Sequence, residues 1–178
     1  MIVEARLEDV GSGLAPVSEG WFVVNVRDTA WETSGLGGMC AFEGLDVPFS
    51  QFGINVRVLT QESGGLYHSE TNQENFLVVA GECLLLVAGE ERPLKAWDFV
   101  HCPPGTEHAF VVMGKSPCVI IMIGARTNEP VAFYPRSELA LRHGVGVERE
   151  TTSPGEAQAG RFEWQYARPE GWAELPWS

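Results

Sequence analysis

Residues 68–81, HSETNQENFLVVAG, decide the fold of this chain. The segment opens with ligand-type side chains and ends as an apolar strand that stops at Gly81. Successive side chains of a strand point to opposite faces, so His68 and Glu70 share one face. After a short polar connection the next strand opens with Glu74, which is able to point back at them. Three ligand-type side chains are therefore predicted to converge.

A second imidazole follows later in the chain. The sequence Pro103-Pro104-Gly105-Thr106 predicts a turn, and the strand after it opens with His108. Charged groups inside a barrel are costly unless they are paired or bind a metal. Imidazoles and carboxylates together suit Fe, Mn, Zn or Ni. The sequence therefore predicts one divalent transition metal, with candidate ligands His68, Glu70, Glu74 and His108.

Short strands surround this segment on both sides. From Gln51 to about Ile123, runs of apolar residues alternate with turn residues, a spacing typical of an all-β sandwich or barrel. The predicted strands are Ile54–Thr60, Leu66–Glu70, Asn75–Ala80, Cys83–Val87, Glu91–Leu94, Asp98–Cys102, His108–Met113 and Val119–Ile123. The pattern indicates a β meander or jelly roll.

Several of these strands, such as FLVVA, CLLLV and VIIMI, are apolar on both faces. Their outer face must then be covered, either by a partner subunit or by the terminal arms. Residues 1–50 indicate an N-terminal arm of short strands and loops. Residues 126–178 indicate a C-terminal extension with a short helix near 135–143. Its tryptophan-rich end is expected to wrap the barrel or a neighbouring subunit, with a partly disordered tail as the alternative.

The chain of 178 residues is expected to form a single domain, with its barrel core at 51–125. The two-sided apolar strands also suggest a homodimer. The four cysteines show no C-x-x-C spacing and lie mostly in apolar runs, which predicts reduced core thiols; they are Cys40, Cys83, Cys102 and Cys118.

The two ligand-bearing segments together resemble the motifs of the cupin family. The first family motif, G-x5-H-x-H-x3or4-E-x6-G, is matched as His68-x-Glu70-x3-Glu74-x6-Gly81. The second, G-x5-P-x-G-x2-H-x3-N, is matched as Pro103-x-Gly105-x2-His108. This resemblance covers about the middle third of the chain. It implies a double-stranded β-helix, or jelly-roll, barrel with short terminal arms and at most one or two short helices.

Three positions depart from the family pattern. Glu70 stands where the family usually has its second histidine, Trp97 replaces a glycine, and Val112 replaces an asparagine. Only Glu70 affects the metal, since a carboxylate in place of a histidine makes the site harder and favours Fe(II), Mn(II) or Zn. Alternatively, His68, Glu74 and His108 hold the metal, and Glu70 lies beside them as a base or is a solvated residue at the rim.

The two remaining histidines are weaker candidates. His101 shares a strand face with Phe99, a face that is expected to line the barrel, although a hydrogen-bonded core residue is favoured over one with a chemical role. His143 is expected to act at the end of the short helix.

The formal net charge of −12 disfavours nucleic acid and anionic membranes as partners, and no basic cluster offsets it. The N-terminus lacks the pattern of a signal peptide, and no apolar run approaches 18 residues. A cytoplasmic protein that binds a small molecule is therefore expected.

The sequence leaves the reaction open. Two histidines and one carboxylate with open coordination positions serve both non-haem iron dioxygenases and metal-dependent isomerases or epimerases. The chain is thus expected to be a metal-dependent enzyme acting on a small polar metabolite. The alternatives are a non-catalytic protein that binds or senses a small molecule, with or without metal, and a dimer-forming structural protein.

Overall fold

Antiparallel strands make up most of the regular structure in the computed structural model, which describes residues 1–44, 46–61, 63–159 and 163–177. The strands are β1 (Leu7–Asp9), β2 (Leu14–Pro16), β3 (Glu32–Ser34), β4 (Gly37–Ala41), β5 (Phe52–Leu59), β6 (Ser69–Glu70), β7 (Glu74–Ala80), β8 (Glu82–Val87), β9 (Glu90–Lys95), β10 (Phe99–Cys102), β11 (His108–Val112), β12 (Cys118–Ala125), β13 (Ala132–Phe133) and β14 (Gln165–Tyr166). Each of the eight predicted strands overlaps one of them, so the all-β jelly-roll prediction is confirmed.

Two short α-helices and one 3-10 turn complete the described elements: α1 (Glu138–Arg142), α2 (Pro154–Gln158) and Trp172–Glu174. Each α-helix begins after a serine whose side chain accepts a hydrogen bond from a backbone N–H of the first turn. The predicted short helix near 135–143 corresponds to α1. None of the helices in the described ranges is long and apolar enough to cross a membrane.

Two sheets face each other. The larger has the order β10-β7-β12-β5-β4-β3-β14, and the smaller has the order β11-β8-β9. Residues from strands of both sheets pack between them into what we call the inner core: Leu59, Phe76, Val78, Cys83, Leu85, Cys102, Phe110, Cys118 and Ile120. The tight turn from β7 into β8 needs Gly81, which has φ 74°; a Cβ there would lie 2.2 Å from the Pro117 carbonyl oxygen.

The outer face of the larger sheet is covered by the chain itself. Val58 and Val119 alternate with inner-core residues and pack outward against fully buried Trp31. The Trp31 ring lies 5.4 Å from that of Trp172, edge-on, and 5.4 Å from that of Trp177, stacked. Both terminal arms therefore wrap the barrel, as one of the two predicted alternatives stated. The homodimer stays a prediction, since this apolar face already has a cover.

The outer face of the smaller sheet is covered in the same way. Leu86 and Ala109 pack against Ala140 of α1 and against Val145. A strand such as CLLLV is therefore apolar on both sides because it is buried on both sides. All four cysteines are buried and free, which agrees with the prediction of reduced core thiols.

Candidate metal centre

His68 and His108 lie directly opposite each other in an isolated antiparallel bridge. The His68 N–H donates to the His108 carbonyl at 3.0 Å, and the His108 N–H donates to the His68 carbonyl at 2.8 Å. Directly opposed residues of an antiparallel pair project their side chains to the same face. The two rings consequently lie side by side, with centroids 5.0 Å apart.

Glu74 joins the two histidines from the larger sheet. It is the first residue of β7, where it pairs with Cys102 and Gly124 of the neighbouring strands. Its Oε2 atom lies 3.5 Å from Nε2 of His108. His68, Glu74 and His108 each offer one ligand atom, and these atoms all lie within 4.8 Å of one another. Three of the four predicted ligands therefore converge.

The backbone fixes the tautomer of both histidines. Nδ1 of His68 lies 2.7 Å from the Leu66 carbonyl, and Nδ1 of His108 lies 3.0 Å from the Thr106 carbonyl. A carbonyl oxygen only accepts, so each Nδ1 carries the proton and each Nε2 keeps a free lone pair. Burial lowers the pKa of both rings, that of His108 to about 4. Both imidazoles are therefore neutral at pH 7 and have the protonation state of a metal ligand.

The Glu74 carboxylate is also perturbed. Burial, and then the charge of Glu70, raises the pKa of Glu74 to about 7. Two imidazole lone pairs and a carboxylate thus face one another and supply no proton donor when Glu74 is ionised. Buried acceptors of this kind are stabilised by a cation between them. Two imidazole nitrogens and one carboxylate oxygen are a donor set that fits Zn, Fe, Mn or Ni.

Glu70, the fourth predicted ligand, lies beside this group. Its Oε1 atom is 3.8 Å from Nε2 of His68, and its carbonyl accepts a hydrogen bond from the Gly105 N–H at 2.8 Å. Glu70 is outside the set of atoms within 4.8 Å of one another, although it lines the same cavity. This geometry favours the predicted alternative with three ligands and Glu70 adjacent, while direct ligation by Glu70 stays a prediction.

The group opens onto a cavity of about 370 Å³. Phe76 and Phe110 of the inner core contribute to its lining, and the Phe76 ring lies 5.1 Å from that of His108. The Tyr134 ring stacks on His68 at 5.6 Å. A cavity of this size, apolar with a few convergent polar groups, suits a small metabolite.

Among the residues at this site that were not predicted are Asn55, Arg57 and Tyr134. Asn55 and Arg57 alternate with Leu59 along β5 and line the cavity with it. The sequence signal that could have found them is the alternation of polar Asn55 and Arg57 with apolar residues just before Leu59, because alternate residues of a strand share a face. Tyr134 follows a short strand far along the chain, and no sequence pattern singles it out.

The expectation that Phe99 and His101 line the barrel is wrong. Val100 pairs directly with inner-core Phe76, so Val100 faces inward and its neighbours face outward. Phe99 is 63% exposed, and Nδ1 of His101 lies 2.8 Å from the Asn75 side-chain oxygen. His101 is thus hydrogen-bonded, as expected, but it is an exposed surface residue outside the cavity and not a core residue.

His143 lies at the end of α1, as predicted. Its backbone N–H bonds to the Leu141 carbonyl, and its ring Nε2 is 2.8 Å from Oε1 of Glu91. It takes no part in the candidate centre.

The fold is that of a known family. A family model described as a cupin domain matches residues 55–124, which include both histidines and both glutamates of the site. Residues 55–124 of this chain therefore form a cupin domain. A search of curated proteins finds no significant match to the sequence.

Solved structures with this cupin fold come from several organisms. The polyketide cyclase RemF from Streptomyces resistomycificus aligns with a TM-score of 0.53 and 13% identity over 59% of this chain and 79% of that one. A sugar phosphate isomerase of the cupin superfamily from Silicibacter pomeroyi gives 0.50 and 21% over 74% and 78%. KdgF from Halomonas sp. gives 0.50 and 19% over 62% and 97%. At these identities the likeness is one of fold.

Proposed function

We propose that this cupin is a metal-dependent enzyme that holds one divalent transition metal through His68, Glu74 and His108 and acts on a small polar metabolite. The observation that carries the proposal is the donor set itself. Two neutral imidazoles with Nε2 lone pairs free and one carboxylate lie within 4.8 Å of one another at the wall of a cavity. Zn, Fe, Mn and Ni are the candidate metals.

Each protein group has a separate task in this proposal. A divalent metal bound here supplies Lewis acidity toward a carbonyl or hydroxyl oxygen of the ligand. The Leu66 and Thr106 carbonyls hold the two imidazoles in the ligating tautomer. Phe76 and Phe110 restrict water around the ligand.

Glu70 favours proton transfer as the reaction. Its carboxylate lines the cavity 3.8 Å from Nε2 of His68, outside the three-donor group, and is free to take a proton from the bound ligand and return it. That is the task of a base in an isomerase or epimerase acting on a carbonyl compound or sugar. Glu70 is the residue we assign to it.

Oxygen chemistry is the second candidate. It is favoured by the composition of the donor set, because two histidines and one carboxylate with open positions are also the ligands of non-haem iron oxygenases. In that case Glu70 has no essential proton to move, so the two candidates differ in their dependence on Glu70.

The deciding experiment follows deuterium incorporation and oxygen consumption in parallel. Protein loaded separately with Zn, Mn and Fe(II) is incubated in D₂O with a panel of aldoses, ketoses and keto acids, and exchange is followed by NMR. We expect metal-dependent deuterium incorporation next to a carbonyl, lost in Glu70→Gln and kept in Glu82→Gln, an exposed control. Oxygen consumption with Fe(II) that survives Glu70→Gln would support the dioxygenase. If neither deuterium incorporation nor oxygen consumption is detected, the result favours a non-catalytic binding protein.

A further inference from the structure

Arg57 is a cationic side chain inside the barrel. It lies on β5 two residues before Leu59, which belongs to the inner core, and it lines the same cavity as His68 and Glu74.

The guanidinium is incompletely paired. Its Nη1 atom is buried and has no hydrogen-bond partner among the described residues. The Trp164 ring lies 5.5 Å from the guanidinium carbon. Burial lowers the pKa of Arg57 to about 10, so the group remains a cation at neutral pH. A buried charged donor without an acceptor is costly, and such groups usually have a partner.

Asn55 presents a second unsatisfied group on the same wall. It precedes Arg57 by two residues on β5, so both side chains project to one face about 7 Å apart. Its Oδ1 atom is buried and has no donor among the described residues. The wall thus offers a cationic donor beside an amide acceptor, and both residues are among those that line the cavity.

We propose that Arg57 binds the carboxylate of the ligand, and that this cupin therefore selects small hydroxy or keto acids over neutral sugars and polyols. The guanidinium donates to the carboxylate, and the Asn55 oxygen accepts from a hydroxyl of the same molecule. Two cations, Arg57 and Arg126, and two carboxylates, Glu70 and Glu74, line the cavity. A singly charged carboxylate therefore suits it better than a phosphate dianion, because the ionised side chains leave no excess of positive charge. The inference deepens the proposed function by naming the substrate class at the proposed metal site.

The test compares ligands that differ only in charge. Gluconate and its polyol counterpart sorbitol, and lactate and 1,2-propanediol, are titrated calorimetrically into metal-loaded protein and into Glu74→Gln. The wild type is expected to bind the acid of at least one pair about 10- to 100-fold more tightly than its neutral counterpart. Arg57→Met is expected to lose that preference and to keep its metal content, while Arg57→Lys keeps a part of it. Arg27→Gln, at an exposed position, is the control.

Each contrary outcome is distinct. Equal binding of acid and neutral compound by the wild type overturns the proposal, as does an acid preference that survives Arg57→Met. Loss of metal in Arg57→Met would assign Arg57 to the structure of the centre instead. Tighter binding of glucose 6-phosphate than of gluconate would overturn the proposed preference for a carboxylate and show that the cavity prefers a phosphate. Acid preference retained in metal-free Glu74→Gln would keep this inference even if the proposed metal function failed.

Discussion

The two ends of the barrel are built from the same strands, but one end is packed with apolar side chains and the other holds polar and charged groups. β7 begins with the Glu74 carboxylate and continues to fully buried Val78, and β12 runs from buried Cys118 to Gly124 at the cavity. One end, which we call the packed end, is closed by the apolar inner core. The other, the donor end, gathers imidazoles, carboxylates and a guanidinium with incomplete hydrogen bonding.

The difference indicates that stability and chemistry are separated along each strand. Apolar burial at the packed end stabilises the fold, while the donor end holds groups that are costly to bury without a ligand. Substitutions at the two ends should therefore have opposite signatures: loss of stability at one, and loss of metal with a neutral or higher stability at the other.

The largest effect is expected at the packed end. Ile120→Ala removes a fully buried side chain and leaves a cavity between the sheets, so we expect a loss of about 2–5 kcal/mol in the free energy of unfolding. Urea unfolding followed by tryptophan fluorescence measures this change. Val23→Ala, at a side chain 81% exposed, is the control and should change it by less than about 0.5 kcal/mol. A loss below about 1 kcal/mol for Ile120→Ala would contradict the account of this end.

The opposite sign is expected at the donor end. Burial raises the pKa of Glu74 to about 7 from an ordinary 4.5. Ionisation of Glu74 therefore destabilises the folded metal-free protein: the cost is absent below pH 4.5, grows as the pH rises from there, and is complete above pH 7. Glu74→Gln removes this cost. Relative to wild type, the metal-free variant should gain about 1–3 kcal/mol at pH 8 and much less at pH 5.

Chemical denaturation of chelator-treated protein at the two pH values checks this prediction. Glu82→Gln, which removes an exposed carboxylate, should show no such pH dependence. A Glu74→Gln variant that is less stable than wild type at pH 8 would mean that the carboxylate is satisfied within the protein and needs no cation.

The smallest effect concerns the thiols of the packed end and of the outer face. Burial raises the pKa of Cys40 to about 12 and that of Cys102 to about 11, so neither thiol is ionised at pH 8. We expect all four cysteines to resist Ellman's reagent in the folded protein and to react after unfolding in guanidinium. Rapid reaction of Cys83 or Cys118 in the folded state would show that the packed end opens.

Much of the barrel is predictable from the sequence because alternation and turn residues mark each strand. Leu66–Glu70 is the least accurate of the predicted strands. Only Ser69 and Glu70 form a regular strand there. His68 pairs with His108 through a single isolated bridge, and Leu66 and Tyr67 before it pack into two different apolar clusters. The cover of the outer face needs the structure, because it joins Trp31 to rings more than 140 positions away.

The site divides in the same way. The spacing of the two motifs predicted His68, Glu74 and His108 as ligands, because each of these residues opens or flanks a strand next to a turn. Whether Arg57 and His101 line the cavity depends on which face of their strand points inward. The alternation of residues along a strand does not by itself decide between the two faces. Pairing across strands selects one phase, as Val100 opposite Phe76 shows for His101.

The most direct test of the metal centre is the metal content of the protein purified without chelators, determined by elemental mass spectrometry for wild type, Glu74→Gln, His108→Ala and His101→Ala. His101→Ala is the matched control, since it removes a histidine that lies outside the cavity. The account predicts close to one equivalent of Fe, Mn, Ni or Zn in wild type and in His101→Ala, and its loss in the other two variants. Less than about a tenth of an equivalent in wild type, even after reconstitution, or equal metal in all four proteins, would contradict it.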